Sequence, residues 1–245
     1  MEPLPAHSRP QGATLDATVT SIRRATPNTR IVRVRPERVP FVYRAGQAAE
    51  ISPQSADAFA PFSIASAPED AAVDGCLEFL VKVDGHERWG EQFGPLKRGQ
   101  RLRLRGPFGR FILPDKVADG FIALIAGGTG IAPLRSMVRH ARARALGVSF
   151  RLLYSARTPA DFAYRRELAG MARRGELELV LKATRDVPQL WKGERGRITR
   201  AQLAPLAERN PHLCFVCGPA SMVDDVPRML VELGVDPSRI RIEEW

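Results

Sequence analysis

The sequence has few of the residues from which covalent frameworks and metal centres are built. Only three cysteines and four histidines occur among 245 residues, too few for a disulfide scaffold. Cys214 and Cys217 form a CxxC pair, yet no second pair and no histidine at ligand spacing accompanies it. We therefore expect no disulfide framework, and no metal ion or iron–sulfur cluster held by this chain.

Long apolar runs are absent as well. No stretch approaches the ~20 apolar residues that a helix needs to cross a bilayer. The N-terminal segment MEPLPAHSRPQG lacks the charged and apolar regions of a signal peptide. The chain is nevertheless 44% hydrophobic and long enough for two modest domains with their own cores. The expectation is a cytoplasmic globular protein without a membrane span.

Acidic residues are outnumbered by basic ones, 27 to 37, and the formal net charge is +10. The arginines are spread over both halves of the chain, and no aromatic residues alternate with them as on a surface that stacks nucleic-acid bases. Since no nucleic-acid motif accompanies the charge, nucleic acid is not an expected partner. A basic surface does favour encounter with an acidic protein and suits anionic nucleotides.

Residues 13–113 have a hydrophobic period of two. The clearest alternating segments contain Leu15, Ala17 and Val19, then Leu77, Phe79, Val81 and Val83, and then Leu102 and Leu104. Turn sequences such as residues 44–47 and 83–85 separate these segments. Short alternating strands at this spacing predict a small antiparallel barrel, which is the all-β part of the chain.

Residues 114–245 show strands and helices in alternation instead. Strands are expected at 121–126, 149–154, 177–183, 213–217 and 239–242, and helices at 134–145, 161–173, 200–208 and 221–233. This alternation predicts an α/β domain with a parallel sheet and helices on both faces. Residues 106–111, GPFGRF, are the expected hinge between the two domains.

The segment 122–137, IALIAGGTGIAPLRSM, is the most informative part of the second domain. An apolar strand ends at a turn with Gly-x-Gly-x-x-Pro spacing, and Pro133 suits the first turn of the helix that follows. Gly128, Thr129 and Gly130 can offer main-chain N–H groups to a phosphate, with the positive end of the helix dipole behind them. A strand-to-helix turn without a ligand explains the same residues about equally well.

A second strand-to-helix turn, in residues 213–223 (LCFVCGPASMV), changes that balance. Two such turns on neighbouring parallel strands face one crevice at the carboxyl edge of the sheet, where open α/β folds bind ligands. Cys217 is expected at the tip of its strand and facing that crevice, although a small buried cysteine usually only fills space.

Five motifs follow one another along the chain: AGQ at 45–47, PFSIAS at 61–66, GPFG at 106–109, GGTGIAP at 127–133 and CGPASM at 217–222. In this order the sequence resembles the ferredoxin–NADP reductase superfamily over nearly its whole length. The resemblance implies a Greek-key barrel that binds a flavin, FAD rather than FMN, and an α/β domain that binds NADPH or NADH. It also implies hydride transfer from nicotinamide C4 to flavin N5, in a reductase without an iron–sulfur domain of its own.

The resemblance further implies roles for individual residues. Ser63 hydrogen-bonds near flavin N5, Phe62 packs on the ring, and Trp245 stacks on the open flavin face, unless it is only a frayed end. The other residues implied at the flavin are Ile64, Val81, Val83, Arg88 and Gly90. Those implied at the pyrophosphate are Gly128, Thr129 and Gly130, and those at the nicotinamide are Cys217, Gly218, Pro219 and Met222. Catalytic roles thus fall to Ser63, Cys217 and Trp245. Apart from the resemblance, the neighbouring Glu243 and Glu244 can assist proton delivery to reduced flavin, or they can be ordinary solvated residues.

Two positions depart from the family pattern. Ala60 stands where relatives usually have an arginine that pairs with the flavin phosphate, and Phe62 replaces a tyrosine. Arg88 can restore the charge from another direction, and Gly90 can offer its main-chain N–H. A charge-assisted hydrogen bond contributes roughly 1.5–3 kcal/mol, so its uncompensated loss weakens flavin binding by ~10- to 100-fold.

The residues after the second and third parallel strands favour NADPH over NADH. No acidic residue near Arg157 is placed to bind the ribose hydroxyls. Thr184 and Arg185 resemble the pair that contacts the 2′-phosphate in NADPH-using relatives. Arg157, Arg185 and Arg197 can cluster there, or they can be ordinary solvated surface residues.

The expected function is a flavin-dependent reductase that takes hydride from NAD(P)H and passes electrons to a separate, acidic acceptor such as a ferredoxin or an oxygenase component. The protein is expected to act as a monomer. Two alternatives stay open. One is a reductase of free flavin or ferric chelates, and the other is a non-catalytic nucleotide-binding subunit with a degenerate flavin site.

Overall fold

The computed structural model describes residues 14–37, 40–55, 58–83, 95, 97–115, 117 and 120–245. Within them lie two six-stranded sheets, an antiparallel one from the first part of the chain and a parallel one from the second. This confirms the fold class expected from the two hydrophobic patterns, while the domain boundary at residue 113 stays a prediction. No helix in these ranges combines the length and the apolarity needed to cross a membrane.

The first sheet is a barrel with Greek-key connections. Its strands are β1 (Leu15–Thr26), β2 (Thr29–Pro36), β3 (Ala48–Pro53), β4 (Ala60–Ser63), β5 (Leu77–Lys82) and β6 (Arg101–Phe108). They lie in the order β4-β3-β6-β1-β2-β5, and a bridge between Ile64 and Phe79 joins the two outer strands. Strands β3, β4 and β5 therefore follow one another around the barrel, and β6 returns beside β3 as in a Greek key.

The alternation expected in β5 describes only one of its faces. Phe79 and Val81 point into the barrel core as expected, but Glu78 and Leu80 are buried too. Leu80 belongs to the apolar cluster of the second part of the chain. The outer face of β5 is thus covered by a partner distant in sequence, which a period-two pattern cannot reveal.

A short helix that the hydrophobic pattern did not predict, α1 (Pro68–Asp74), connects β4 to β5. Pro68 occupies its first turn, and the Asp70 carboxylate accepts a hydrogen bond from the Ala67 N–H at 2.9 Å. Gly75 ends the helix in the left-handed conformation, with φ of 69°. The pattern missed α1 because none of its residues is buried.

The second sheet is parallel and has helices on both faces. Its strands are β7 (Gly120–Gly127), β8 (Val148–Ala156), β9 (Glu178–Ala183), β10 (Glu194–Arg195), β11 (Leu213–Gly218) and β12 (Ile240–Glu244), in the order β10-β9-β8-β7-β11-β12. Helices α2 (Ile131–Ala143) and α3 (Arg165–Arg173) pack on one face, and α4 (Arg200–Ala207) and α5 (Ala220–Glu232) on the other. The strand order reverses between β7 and β11, where parallel sheets open a crevice.

The connection between the two parts is packed where it leaves the barrel, and the hinge role expected for residues 106–111 stays a prediction. Phe111 lies edge-on against Phe215 of β11, with ring centroids 5.2 Å apart. The Leu113 N–H donates to the Ala45 carbonyl at 3.1 Å, back in the barrel. Both aromatic rings are buried in a cluster that also includes Ala45 and Leu80 of the first part, so the connection packs between the two sheets, while the barrel interior forms a cluster of its own.

The turns that follow β7 and β11 approach each other closely. In the parallel register Cys217 lies opposite Ala126. A Cβ on Gly130 would lie 2.2 Å from the Cys217 carbonyl oxygen, although the φ of Gly130 is an ordinary −61°. Glycine is therefore required at position 130 by the approach of another main chain, and not by its own backbone conformation.

We expect Gly130→Ala to destabilise the fold by about 3 kcal/mol, since the overlapping atoms are main chain and the turn must move away from the end of β11 to admit a methyl group. Gly128→Ala is the matched control: it lies in the same turn, has φ of 56° and has open space where its Cβ would point. It should cost about 1 kcal/mol. Urea unfolding of both variants measures the difference, and equal losses would contradict it.

Candidate active site

The glycine-rich turn lies between β7 and α2 as expected. Residues 128–130 form one turn of 3-10 helix before α2, and Pro133 is in the first turn of α2. Gly128 is exposed, and no atom lies within 4 Å of the place a Cβ would take. The Tyr154 hydroxyl donates to the Gly128 carbonyl at 3.0 Å and accepts from the Ala163 N–H at 3.2 Å. A braced turn therefore presents its main chain to open space at a helix N-terminus.

The second turn lies directly beside the first. Cys217, Gly218 and Pro219 form the tip of β11 and the start of α5. Met222 lies against both turns, because a Cβ on either Gly127 or Gly218 would come within 2.8 Å of its side chain. The structure thus brings together the residues assigned to the pyrophosphate and to the nicotinamide. Their binding roles stay predictions.

Three side chains from both parts of the chain meet where the barrel faces β12. The Ser63 hydroxyl, at the end of β4, donates to Glu243 Oε2 at 3.3 Å, and the Trp245 indole N–H donates to the same oxygen at 2.7 Å. The Trp245 main-chain N–H donates to the Gly218 carbonyl at 3.0 Å, so Trp245 is not a frayed end. Glu244, between them in sequence, is exposed. Of the two glutamates, Glu243 is therefore the one that reaches the site.

Burial sets the acidity of this cluster. Desolvation raises the pKa of the Glu243 carboxyl to about 7 from its ordinary 4.5, against the opposing effect of the Trp245 and Ser63 hydrogen bonds. Cys217 lies opposite Glu243 in the β11–β12 register, and burial raises the pKa of its thiol well above the ordinary value. Cys217 is thus a neutral thiol, whereas Glu243 can exchange a proton near neutral pH.

The two cysteines of the CxxC pair point to opposite faces of the sheet. Cys214 packs in the cluster beneath α4 and α5, and Cys217 in the cluster beneath α2 and α3. Residues three apart on a strand face opposite ways. The pair therefore cannot ligate one metal ion together. The Cys217 side chain is fully buried in the core rather than facing the crevice as the sequence predicted, so only its main chain lies at the tip of β11.

The other residues implied at the flavin differ in what they can offer. Ile64, Val81 and Val83 are buried in the barrel core, so only their main-chain groups can contact a ligand. Phe62 is half-buried at the end of β4. Two residues assigned to the flavin phosphate lie outside the described residues: Arg88 and Gly90.

Main-chain pairing gathers the loops assigned to the adenosine end of the nucleotide. The Arg185 N–H, after Thr184, donates to the Arg157 carbonyl at 2.6 Å. The Gly196 N–H, before Arg197, donates back to β9 at 2.9 Å. The three arginine side chains are exposed. The loops leave one edge of the sheet together, and contact with a 2′-phosphate stays a prediction.

The residues present fit a flavin ring and a pyridine dinucleotide. The open main chain at Gly128, in front of the positive end of α2, is a donor set that suits a pyrophosphate. The Ser63 hydroxyl and the Glu243 carboxyl form a paired donor and acceptor, which suits the polar edge of a flavin ring. Ala60 brings no charge for the flavin phosphate.

The chain is similar to known proteins in sequence and in fold. A family model for the oxidoreductase NAD-binding domain matches residues 124–228. Ferredoxin–NADP reductase B of Sorangium cellulosum is 31% identical over 196 residues, which cover 75% of this chain and 77% of that protein. The chain belongs to the ferredoxin–NADP reductase superfamily.

Members with other partners are similar too. The xylene/toluene monooxygenase electron transfer component of Pseudomonas putida is 30% identical over 194 residues, covering 78% of this chain and 54% of that protein. The crystal structure of a cytochrome P450 reductase from Amycolatopsis superposes with a TM-score of 0.83 at 28% identity, covering 95% of this chain and 69% of that one. The chain spans about half the length of several curated relatives, as the 54% above illustrates.

Sequence reasoning missed two residues that support the site in this ferredoxin–NADP reductase superfamily member. Tyr154 braces the glycine-rich turn, and Arg135 reaches from α2 to the barrel. Both are buried polar side chains on apolar elements. That mismatch is visible in the sequence, but the partner of each one is distant along the chain and becomes apparent only in the fold.

We expect Glu243 to make stability fall as pH rises. Because its folded-state pKa is raised, the carboxyl stays protonated in the folded protein while it ionises in the unfolded chain, so its contribution is lost between pH 4.5 and about 7. The loss is about 3 kcal/mol, since one pKa unit corresponds to ~1.4 kcal/mol. Urea unfolding across this range should show the slope in wild type and in Glu244→Gln. A Glu243→Gln variant that keeps the slope would contradict the assignment.

Proposed function

We propose that the protein is a flavin-dependent NAD(P)H reductase that passes electrons to a separate acceptor protein. The observation that carries the proposal is the contact between Ser63 of the barrel and Glu243 of the parallel sheet, beside the paired turns of β7 and β11. The similarity to a ferredoxin–NADP reductase and to the electron transfer component of a monooxygenase supports the same reaction.

The protein's part in this reaction is positioning. When bound, the flavin supplies the redox chemistry by accepting hydride from the nicotinamide. The turn at Gly128 anchors the dinucleotide, and the Cys217 turn directs its nicotinamide end toward Ser63. Holding two reacting groups in near-contact converts their reaction into an effectively unimolecular step. Trp245 and Met222 restrict access of water to the position where the nicotinamide faces Ser63.

Ser63 and Glu243 form a short proton relay. When Glu243 is ionised, the Ser63 hydroxyl donates to it, as observed at 3.3 Å. When Glu243 is protonated, it can donate to Ser63 Oγ, which frees the serine hydrogen to turn toward the crevice. Because burial raises the pKa of Glu243 to about 7, both states are populated at neutral pH.

The partner we propose is an acidic electron-transfer protein. The reductase itself acts as a monomer. The chain carries a formal net charge of +10, and complementary charge speeds encounter between transient partners. The relatives that serve oxygenases support a partner protein rather than a small molecule. The positive net charge of this chain favours an electron carrier with an acidic docking face.

Reduction of free flavin or ferric chelates is a second candidate. It is favoured by Ala60, which offers no charge to hold a flavin phosphate on β4. A weakly held flavin exchanges with the solvent and acts as a substrate. The two functions differ in whether turnover requires a large excess of added flavin.

We expect protein reconstituted with FAD to lose its visible flavin absorption when NADPH is added without oxygen. Ser63→Ala and Glu243→Gln should each slow this reduction by about 100-fold, since proton relay and alignment depend on both groups. Glu244→Gln removes the same charge from an exposed neighbour and should leave the rate unchanged. Stopped-flow absorbance gives the rates.

A protein that binds neither flavin nor NAD(P)H would contradict the proposed function. Reduction that requires flavin in excess at every turnover would select the free-flavin reductase instead. A tight nucleotide complex that never reduces flavin would select the non-catalytic alternative.

We expect Arg185→Gln to raise KM for NADPH by about 10-fold, because the 2′-phosphate loses a charge-assisted hydrogen bond. KM for NADH, which has no 2′-phosphate, should not change. Arg144→Gln removes the same charge at the exposed C-terminal end of α2, on the opposite edge of the sheet, and should affect neither constant. Equal changes for NADPH and NADH would contradict the assignment of Arg185.

A further inference from the structure

Helix α2 connects the glycine-rich turn to the barrel. It begins directly after that turn, and one turn further on its side chains reach the main chain that leaves β4. Arg135 Nη1 donates to the Ala65 carbonyl at 2.6 Å, and Ser136 Oγ donates to the Ser66 carbonyl at 2.6 Å. These carbonyls lie two and three residues after Ser63. One helix therefore contacts both the nucleotide turn and the segment that directly follows Ser63.

Arg135 is held in one orientation. Only 7% of it is exposed. Its Nε donates to Glu167 Oε2 at 2.9 Å, its Nη1 lies 3.1 Å from Glu78 Oε1, and its guanidinium stacks over the Tyr164 ring at 4.2 Å. A planar guanidinium with partners in several directions has a fixed geometry that a lysine ammonium cannot reproduce.

The segment that Arg135 contacts is also held from within the barrel. The Ala65 N–H donates to the Glu78 carbonyl at 2.7 Å, and the Glu78 N–H donates to Ser66 Oγ at 3.0 Å. The Tyr43 hydroxyl donates to the Ser66 carbonyl at 2.9 Å. The position of this segment is thus set jointly by the barrel and by α2, and Arg135 supplies the buried charge from the α2 side.

We propose that Arg135 is a positioning residue for hydride transfer. It sets the location of Ser63, and of a flavin ring beside it, relative to the nucleotide turn at the start of the same helix. The inference rests on the proposed reductase function and adds to it a residue outside the cofactor sites. Because a displacement of about 1 Å can slow such a reaction ~100-fold, a residue that touches neither cofactor can control the rate.

Arg139 provides the matched control. It lies one turn further along α2, donates to Asp70 of α1 at 2.6 Å and shares Glu167 at 2.8 Å. It therefore joins the same two parts of the chain with the same charge. Among the residues that the structure describes, the Arg139 guanidinium bonds to the Asp70 and Glu167 carboxylates and not to the main chain of residues 63–66, so its loss weakens the interface without moving Ser63.

The experiment compares Arg135→Lys with Arg139→Lys in the FAD-reconstituted protein. Arg135→Lys should slow anaerobic flavin reduction by about 10- to 100-fold while changing the Kd for nucleotide less than 2-fold. Without nucleotide or flavin, it should also speed hydrogen–deuterium exchange at the Ile64 and Ala65 amides, which bond to Gln47 and Glu78. Arg139→Lys should leave the reduction rate and both amides unchanged.

Should Arg135→Lys not fold, Ser136→Ala removes only the bond to Ser66 and should slow reduction in the same direction by a smaller factor. Equal rates in the Arg135 and Arg139 variants, with wild-type reduction intact, would overturn the positioning role alone. Wild-type protein that binds flavin and nucleotide but never transfers hydride would overturn the reductase function and this inference together.

Discussion

The parallel pairing of β7 with β11 is the constraint on which the site depends. It brings two strand-to-helix turns, distant in sequence, so close that Gly130 has no room for a Cβ beside the Cys217 carbonyl. Helices α2 and α5 leave these turns on opposite faces of the sheet. The resulting crevice therefore has the N-terminal end of α2 on one side and the main chain at the tip of β11 on the other, which is suited to an anionic dinucleotide.

The barrel contributes to this crevice only because it is fixed to the parallel sheet. Phe111 supplies an apolar contact, and Arg135 supplies a buried charge shared between Glu78 of the barrel and Glu167 of α3. A buried charge is tolerated only while its partners stay in place. The two parts of the chain are consequently held as one unit, and Ser63 keeps a defined position opposite β12.

Burial at that meeting point gives two ordinary side chains different properties. Glu243 and Glu244 are neighbours in sequence and chemically identical, yet only the first is buried, between Ser63 and Trp245. Its pKa is raised to about 7 because its charge lacks solvent. The same burial keeps Cys217 protonated. Glu243 is therefore suited to proton exchange, whereas Cys217 only fills space.

The sequence by itself determined the alternating strands of the barrel, the main strands and helices of the α/β part and the two glycine-rich turns, because hydrophobic period, glycine and proline act locally. It missed α1, none of whose residues is buried, and it did not indicate the contact of Phe111 with Phe215, which lies about a hundred residues away. Only the tertiary structure decided that Glu243 and not Glu244 faces Ser63, and that Arg135 bridges the two parts. Burial and long-range pairing arise from the assembled fold, so no local pattern encodes them.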